Sequence, residues 1–488
     1  GHDVLIDLIG YRRFGHNEAD EPAYTQPEMY AKIKSHASVR DLYAQTLVER
    51  GAVSQELADE MASKRWESLS LEHQDLKRRI AEGQDEPEHQ TGEYQLDRTP
   101  SPEVPTAVAA ERLQALNDEL LSVPEGFTVH PKLVRTFEQR RAAMGADGGI
   151  TWAHAESLAF ASLLSEGTPI RLTGQDTERG TFSQRHLVLH DPKSGQEFAP
   201  VQNLPGALAP MELHNSPLSE MACVGFEYGY AQEAPDALVL WEAQFGDFVN
   251  GAQVMIDQFL VSGMAKWGHT SRLTLLLPHG YEGNGPEHSS ARAERFLQLA
   301  AQNNIRIANC TTAAQYFHLL RRQALAPVAR PLVVLTPKGL LRLKEASSTL
   351  QDLSEGSFRP VLDDATVEPG EVTRLVLCSG KVYYDVVGHE ARAGARHIAV
   401  GRLEQLYPFP VDAVAELVRK YPNVREILWV QEEPQNMGPW RSIRHRLEGA
   451  ADGVPLRYVG RPWRASPSEG YPTAHRLEQD RIARAAFS

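Results

Sequence analysis

The residues best suited to chemistry fall in five short stretches, each beside an apolar run. The first, His214-Asn-Ser-Pro-Leu-Ser-Glu220, leads into Met-Ala-Cys-Val-Gly-Phe-Glu-Tyr-Gly-Tyr230 and puts one carboxylate, Glu220, at the head of a segment suited to burial. A buried carboxylate without a basic neighbour tends to hold its proton near neutral pH. It can then donate a hydrogen bond to a ring nitrogen and exchange that proton with it. The same glutamate also reads as an ordinary helix-start residue favoured by the helix dipole, with Ser216 and Ser219 as capping types.

The densest stretch is Pro278-His-Gly-Tyr-Glu-Gly-Asn-Gly-Pro-Glu-His-Ser-Ser290, between an apolar run and a helix. Its glycines permit tight turns and close approach of a ligand. His279 and His288 can act as acids or bases, or bond an anionic group. The spacing of His279, Glu282, Glu287 and His288 matches no standard zinc pattern, so no metal site is read there. In Trp241-Glu-Ala-Gln-Phe-Gly-Asp-Phe-Val-Asn-Gly251, Phe245 and Phe248 lie in a loop after a buried strand. An aromatic ring there can stack on a heterocycle or simply fill the core, and Phe245 is read as core. Near the start, Arg12 and His16 lie around Gly15 in a loop that suits either a phosphate or plain solvation. The polar loop Gly174–Phe182 is undecided on the same grounds.

These stretches need strands to position them. Alternating strands and helices begin near Thr151. The strands read are Ile170–Thr173, Ala237–Trp241, Leu273–Leu277, Ile305–Ala308 and Leu332–Leu335, with helices over Ala291–Ala301 and Ala313–Ala324. That alternation predicts a parallel α/β sheet, and ligands of such sheets bind at the carboxyl ends of strands. After a polar, acidic boundary at 345–370, strands at Leu375–Cys378, Ile398–Gly401, Ile427–Gln431 and Leu456–Val459 predict a smaller α/β domain. Upstream, Val4–Gly10 reads as a buried strand and 27–85 as surface helices. Residues 86–105, with four prolines, read as an extended linker, followed by a helix with Leu113, Leu116 and Leu120 on one face.

The chain has 488 residues and a net charge of −14, which disfavours nucleic acid or an anionic membrane as the main partner. No apolar run is long enough to span a bilayer. Three scattered cysteines, Cys223, Cys310 and Cys378, form neither a disulfide framework nor a zinc pattern, and read as buried thiols. A chain opening with Gly1 in mid-strand is expected to be a piece of a longer protein.

Taken together, GYRRFGHNEADEPAYTQPEMY, RLTGQDTERGTFSQRH, SPLSE, WEAQFGDFVNGAQV, LPHGYEGNGPEHSSARAERFLQL, CSGKVYYD, EQLYPFP and QEEPQNMGPW resemble the E1 components of 2-oxoglutarate dehydrogenase complexes, along essentially the whole chain. The resemblance implies a transketolase-like architecture in a homodimer. Residues 1–25 would be the tail of a diphosphate-binding domain, and 26–149 a helical segment and linker. A pyrimidine-binding domain would span 150–355, and a C-terminal α/β domain 370–488. It also implies thiamin diphosphate as cofactor. Glu220 would contact N1′ of the aminopyrimidine and Phe248 would pack on that ring. His288 would lie near the reacting centre with His279 in the same loop, and Arg12 and His16 would approach the diphosphate.

The activity implied is decarboxylation of 2-oxoglutarate and reductive succinylation of the lipoyl domain of an E2 partner, in the cytoplasm or, in a eukaryote, the mitochondrial matrix. Some relatives bind acetyl-CoA, for which Arg330 is a candidate. The family's Gly-Asp-Gly motif and following Asn, which hold Mg²⁺, are missing; Gly246-Asp-Phe only echoes them. The chain therefore resembles the carboxyl-terminal half of an E1 subunit, with its Mg²⁺ ligands expected upstream. The alternatives left open are a non-catalytic scaffold or dimerisation fragment, and an E1 for another 2-oxoacid such as 2-oxoadipate.

Overall fold

The computed structural model describes residues 7, 10–83 and 103–488, in two compact units, Gly1–Tyr94 and Gln95–Ser488. In the first unit, helices α1 (Pro27–Ser35), α2 (Val39–Glu49) and α3 (Gln55–Ala81) follow one another, with Ser38 and Ser54 capping the last two. All three are largely exposed, as the charged sequence predicts. The strand read at Val4–Gly10 and most of the linker at 86–105 lie outside the described residues.

The segment 26–149 does not behave as one piece. Helices α4 (Ala110–Leu120) and α5 (Pro131–Ala142) belong to the second unit. Leu113, Leu116 and Leu120 of α4 enter the same core as α6 (Trp152–Ser165), whose residues 152–164 are all buried. The amphipathic stripe of α4 is the physical reason: its apolar face needs a partner, and α6 supplies one.

The strands are β1 (Ile170–Gly174), β2 (Leu189–His190), β3 (Glu197–Phe198), β4 (Met211–Asn215), β5 (Leu238–Glu242), β6 (Thr274–Pro278), β7 (Arg306–Ala308), β8 (Leu332–Thr336), β9 (Val361–Leu362), β10 (Arg374–Cys378), β11 (Ile398–Leu403), β12 (Gln405–Tyr407), β13 (Glu426–Pro434) and β14 (Leu456–Arg461). The main sheet runs β12-β7-β8-β6-β5-β1-β4, parallel except for β12. Strands β5, β6 and β8 are buried throughout, because helices cover both faces of a parallel sheet. The second sheet, β14-β13-β10-β11-β9, is parallel except for β9.

Both predicted α/β domains are therefore present, and their boundary is crossed. Strand β12, from the carboxyl-terminal region, pairs antiparallel with β7 and completes the first sheet. Beside it, Glu404 is fully buried and accepts hydrogen bonds from the backbone N–H and hydroxyl of Thr311.

Candidate functional site

Five adjacent strands, β8-β6-β5-β1-β4, deliver the candidate residues in spatial order. All five are parallel, so the loops leaving their carboxyl ends share one edge of the sheet. Lys338 follows β8, His279 and His288 follow β6, Asp247 and the two phenylalanines follow β5, Gln175 follows β1, and Glu220 follows β4.

Glu220 is the first residue of helix α7 (Glu220–Glu233), and Ser219 caps that helix by accepting from the N–H of Ala222. Glu220 is thus a helix-start residue, at the carboxyl edge of the sheet. The expected burial does not hold. Glu220 is half-buried, and α7 buries only Cys223, Val224, Glu227 and Ala231, leaving Met221 and Phe226 exposed. Gln175 donates to Glu220 Oε1 at 3.4 Å. Gly251 lies so close that a Cβ there would sit 3.2 Å from Glu220 Oε2, so any larger residue would crowd that carboxylate oxygen.

Phe245, Phe248 and His288 form an edge-to-face cluster. Ring centroids are 4.5 Å apart for Phe245–His288, 5.7 Å for Phe248–His288 and 6.0 Å for the two phenylalanines. The loop bearing His288 is pinned from two sides. Asp247 Oδ1 accepts from the N–H groups of Ser289 and Ser290, and Lys338 Nζ donates to the carbonyl of His288. Burial lowers the proton affinity of Lys338, against the pull of Glu282 and Asp247. Asp247 Oδ2 is buried with no partner.

His279 is placed differently. It is buried, accepts from the N–H of Ala291 at Nδ1, and meets Glu433 at Nε2, 3.2 Å away. Burial opposes charging the ring, while Glu433 and Glu432 outweigh it and raise its proton affinity. With Nδ1 already an acceptor, the ring is held with its hydrogen on Nε2, and a second proton would break the bond to Ala291. His279 thus joins β6 to β13.

Arg12 and His16 lie in the first unit. His16 pairs with Asp20 at 2.9 Å, its carbonyl accepts from Arg12, and the pairing lowers the Asp20 pKa. Arg330 precedes β8, at the sheet edge opposite Lys338, and donates to the carbonyl of Asn303. Among the described residues, no three His, Cys, Asp or Glu side chains converge as a metal ion would need. No helix there is long and apolar enough to cross a membrane. The three cysteines are free and buried, and burial pushes the Cys378 thiol up to about 12.

Lys338, Asp247, Gln175 and Glu433 were not singled out from the sequence. Lys338 and Gln175 had a usable signal, since both are polar residues directly after an apolar strand. Nothing local distinguishes Glu433, which meets His279 across 154 positions of sequence.

The parallel sheet and its flanking helices place this domain in a class, the pyrimidine-binding domain of transketolase-type enzymes. A family model described as the transketolase pyrimidine binding domain matches residues 148–344. One described as the 2-oxoglutarate dehydrogenase C-terminal domain matches 347–487, and one described as dehydrogenase E1 component matches 1–75. The chain is 51% identical over 497 residues to a 2-oxoglutarate dehydrogenase E1 component of Geobacillus kaustophilus, covering all of this chain and 52% of that protein. It is 51% identical over 491 residues to that of Bacillus subtilis, covering 98% of this chain and 51% of the relative. The chain belongs to the family of 2-oxoglutarate dehydrogenase E1 components and spans about half the length of the curated relatives it matches.

Proposed function

We propose that this chain supplies the pyrimidine-binding and C-terminal domains of a thiamin diphosphate-dependent E1, which decarboxylates 2-oxoglutarate and succinylates the lipoyl domain of an E2 partner. The observation that carries the reading is the alignment of Glu220, Phe248 and His288 along one carboxyl edge of the sheet. The residues fit the pyrimidine half of the cofactor. Glu220 offers a carboxylate oxygen that a side chain at 251 would crowd, and Phe248 a flat apolar wall. They do not fit the Mg²⁺ half: Asp247 is a single carboxylate with one oxygen bonded to the His288 loop, and among the described residues no further ligands converge on it.

When bound, thiamin diphosphate supplies a carbanion nucleophile and an electron sink for loss of CO₂. The protein's part is to hold protons and orient groups. Glu220 would share a proton with a ring nitrogen through Oε2, with Gln175 fixing Oε1. His288 would serve as a proton donor or as a partner for the substrate oxygen, worth about 10²–10⁴ in rate. His279 acts as a positioning residue, because both its nitrogens are engaged. Arg12 and His16 are assigned to the diphosphate.

A homodimer is proposed on the exposed apolar surface of Leu218, Met221 and Phe226 beside Glu220, which a partner subunit would cover. A cytoplasmic setting is proposed from the bacterial relatives. The test is Glu220→Gln in the full-length protein, followed with an artificial electron acceptor and 2-oxoglutarate. Turnover should be almost abolished while the melting temperature is kept. Near-normal turnover would overturn the reading.

A further inference from the structure

A cavity of about 600 Å³ opens in the second unit, apart from the residues assigned above. Its walls come from the end of α5, the Asp147–Thr151 turn, the start of α6, the Ser183–His186 loop and the segment 341–347.

Three cations line it: Arg140, Arg342 and Lys344, against one carboxylate, Asp147. Among the described residues, neither Arg140 nor Lys344 has an ion-pair partner. Arg140 donates only to the carbonyl of Arg185, and burial holds its guanidinium down to about 10. Arg342 donates to the carbonyls of Phe182 and Ser183, which keeps its side chain at the rim. The amino end of α6, a helix of 14 residues, faces the same space. No side chain caps it and its first turn carries no acid, so its N–H groups add positive potential.

An independent observation comes from His154, in the first turn of α6. The ring is 1% exposed and lines the cavity. Its Nε2 meets Asn117 Oδ1 at 2.7 Å, while its Nδ1 has no partner. Burial and the nearby Arg140 charge hold the ring neutral. The hydrogen therefore sits on Nε2, and Nδ1, on a residue that lines the cavity, is left without a donor. A buried acceptor without a donor is costly to leave unmade.

The two halves of the lining ask for different things from one molecule. The cations and the helix end suit a tetrahedral oxyanion. The His154 lone pair suits a hydrogen-bond donor, and the volume lies within the range of small-molecule sites. We propose that this cavity binds a small phosphorylated ligand that also carries a hydroxyl group, with its phosphoryl group at Arg140, Arg342 and the start of α6, and its hydroxyl on His154 Nδ1. Nothing in this assignment depends on the cofactor reading, so either can fail alone.

The test titrates the full chain, with isotope-labelled histidine, with glycerol 3-phosphate, inorganic phosphate and glycerol, following the His154 ring nitrogens by nuclear magnetic resonance. Glycerol 3-phosphate should move the Nδ1 resonance and bind more tightly than inorganic phosphate, and glycerol should do nothing. Arg140→Gln and the rim variant Arg342→Gln should each weaken binding about tenfold or more. Because Arg342 is exposed, the second variant keeps the test valid if the first unfolds the chain. The proposal is overturned if glycerol 3-phosphate leaves the His154 resonances unmoved, if glycerol alone moves them, or if both variants bind it as the native chain does. Any of these would mark the cavity as a water-filled cleft.

Discussion

Lys338 and His288 are joined through the chain rather than through their side-chain ends: the ammonium of Lys338 donates to the backbone carbonyl of His288. The imidazole of His288 is left to face Phe245 and Phe248. A cation at the end of β8 thereby sets the position of a histidine on the loop after β6.

Replacing Lys338 with Met removes that tether without adding polarity. Loss of this one buried cation leaves Glu282 and Asp247 less compensated and the His288 carbonyl without its donor. The melting temperature should fall, so kcat is measured well below it. On the activity proposed above, the kcat for 2-oxoglutarate in the full-length protein should fall about tenfold to hundredfold, because the loop is no longer held in place. An unchanged kcat would mean that Asp247 alone fixes the loop.

Arg185 sits almost fully buried between two carboxylates. It donates to Glu156 and to Glu242, and Tyr316 also donates to Glu156. Arg185→Met leaves two buried carboxylates facing each other and should destabilise the second unit by about 3–5 kcal/mol. Urea unfolding followed by tryptophan fluorescence would measure it. A loss below roughly 1 kcal/mol would show that water reaches the carboxylates.

His154 sets a pH dependence. Its folded pKa lies well below the ordinary value of 6.5, with burial the largest cause. Above 6.5 the ring is neutral in both folded and unfolded chains and contributes nothing to the slope. Below it the unfolded chain binds a proton that the folded chain refuses, so stability falls with falling pH. His154→Gln should flatten the unfolding free energy below pH 6.5 by up to about 1.4 kcal/mol per pH unit. Identical slopes in the two proteins would show that His154 titrates normally.

Glu433 supplies the acceptor for His279 across the two sheets. Glu433→Gln keeps an acceptor oxygen in place and should lose under about 1 kcal/mol. Glu433→Ala strands the His279 N–H in a buried site and should lose about 1–3 kcal/mol. Chemical denaturation of both variants separates the outcomes, and equal losses would mean the contact contributes no hydrogen bond.

What could be read from residues alone follows burial. Strands β1, β5, β6 and β8 stood out as apolar runs because both sides of the sheet are covered there. Strand β4 did not, because it lies at the edge and carries Glu212, His214 and Asn215. Strand β12 did not either, being three residues whose only reason to be extended is β7. Helix α7 was expected inside because its composition is apolar, yet Met221 and Phe226 face outward. Composition reports what a segment can bury, not which molecule covers it. Glu220, Phe248 and His288 are named through the resemblance of longer stretches, and their roles stand as proposals. Lys338 and Glu433 act through contacts made only after folding.

The pairing of β12 with β7 has a consequence for any attempt to take this chain apart. A cut between 355 and 370, where the sequence changes character, would leave Arg306–Ala308 as a bare strand margin with unanswered backbone donors and acceptors. Such a margin recruits strands from other molecules. The amino-terminal piece should then be sticky rather than merely inactive, and the last strand of its sheet must be borrowed from beyond the cut.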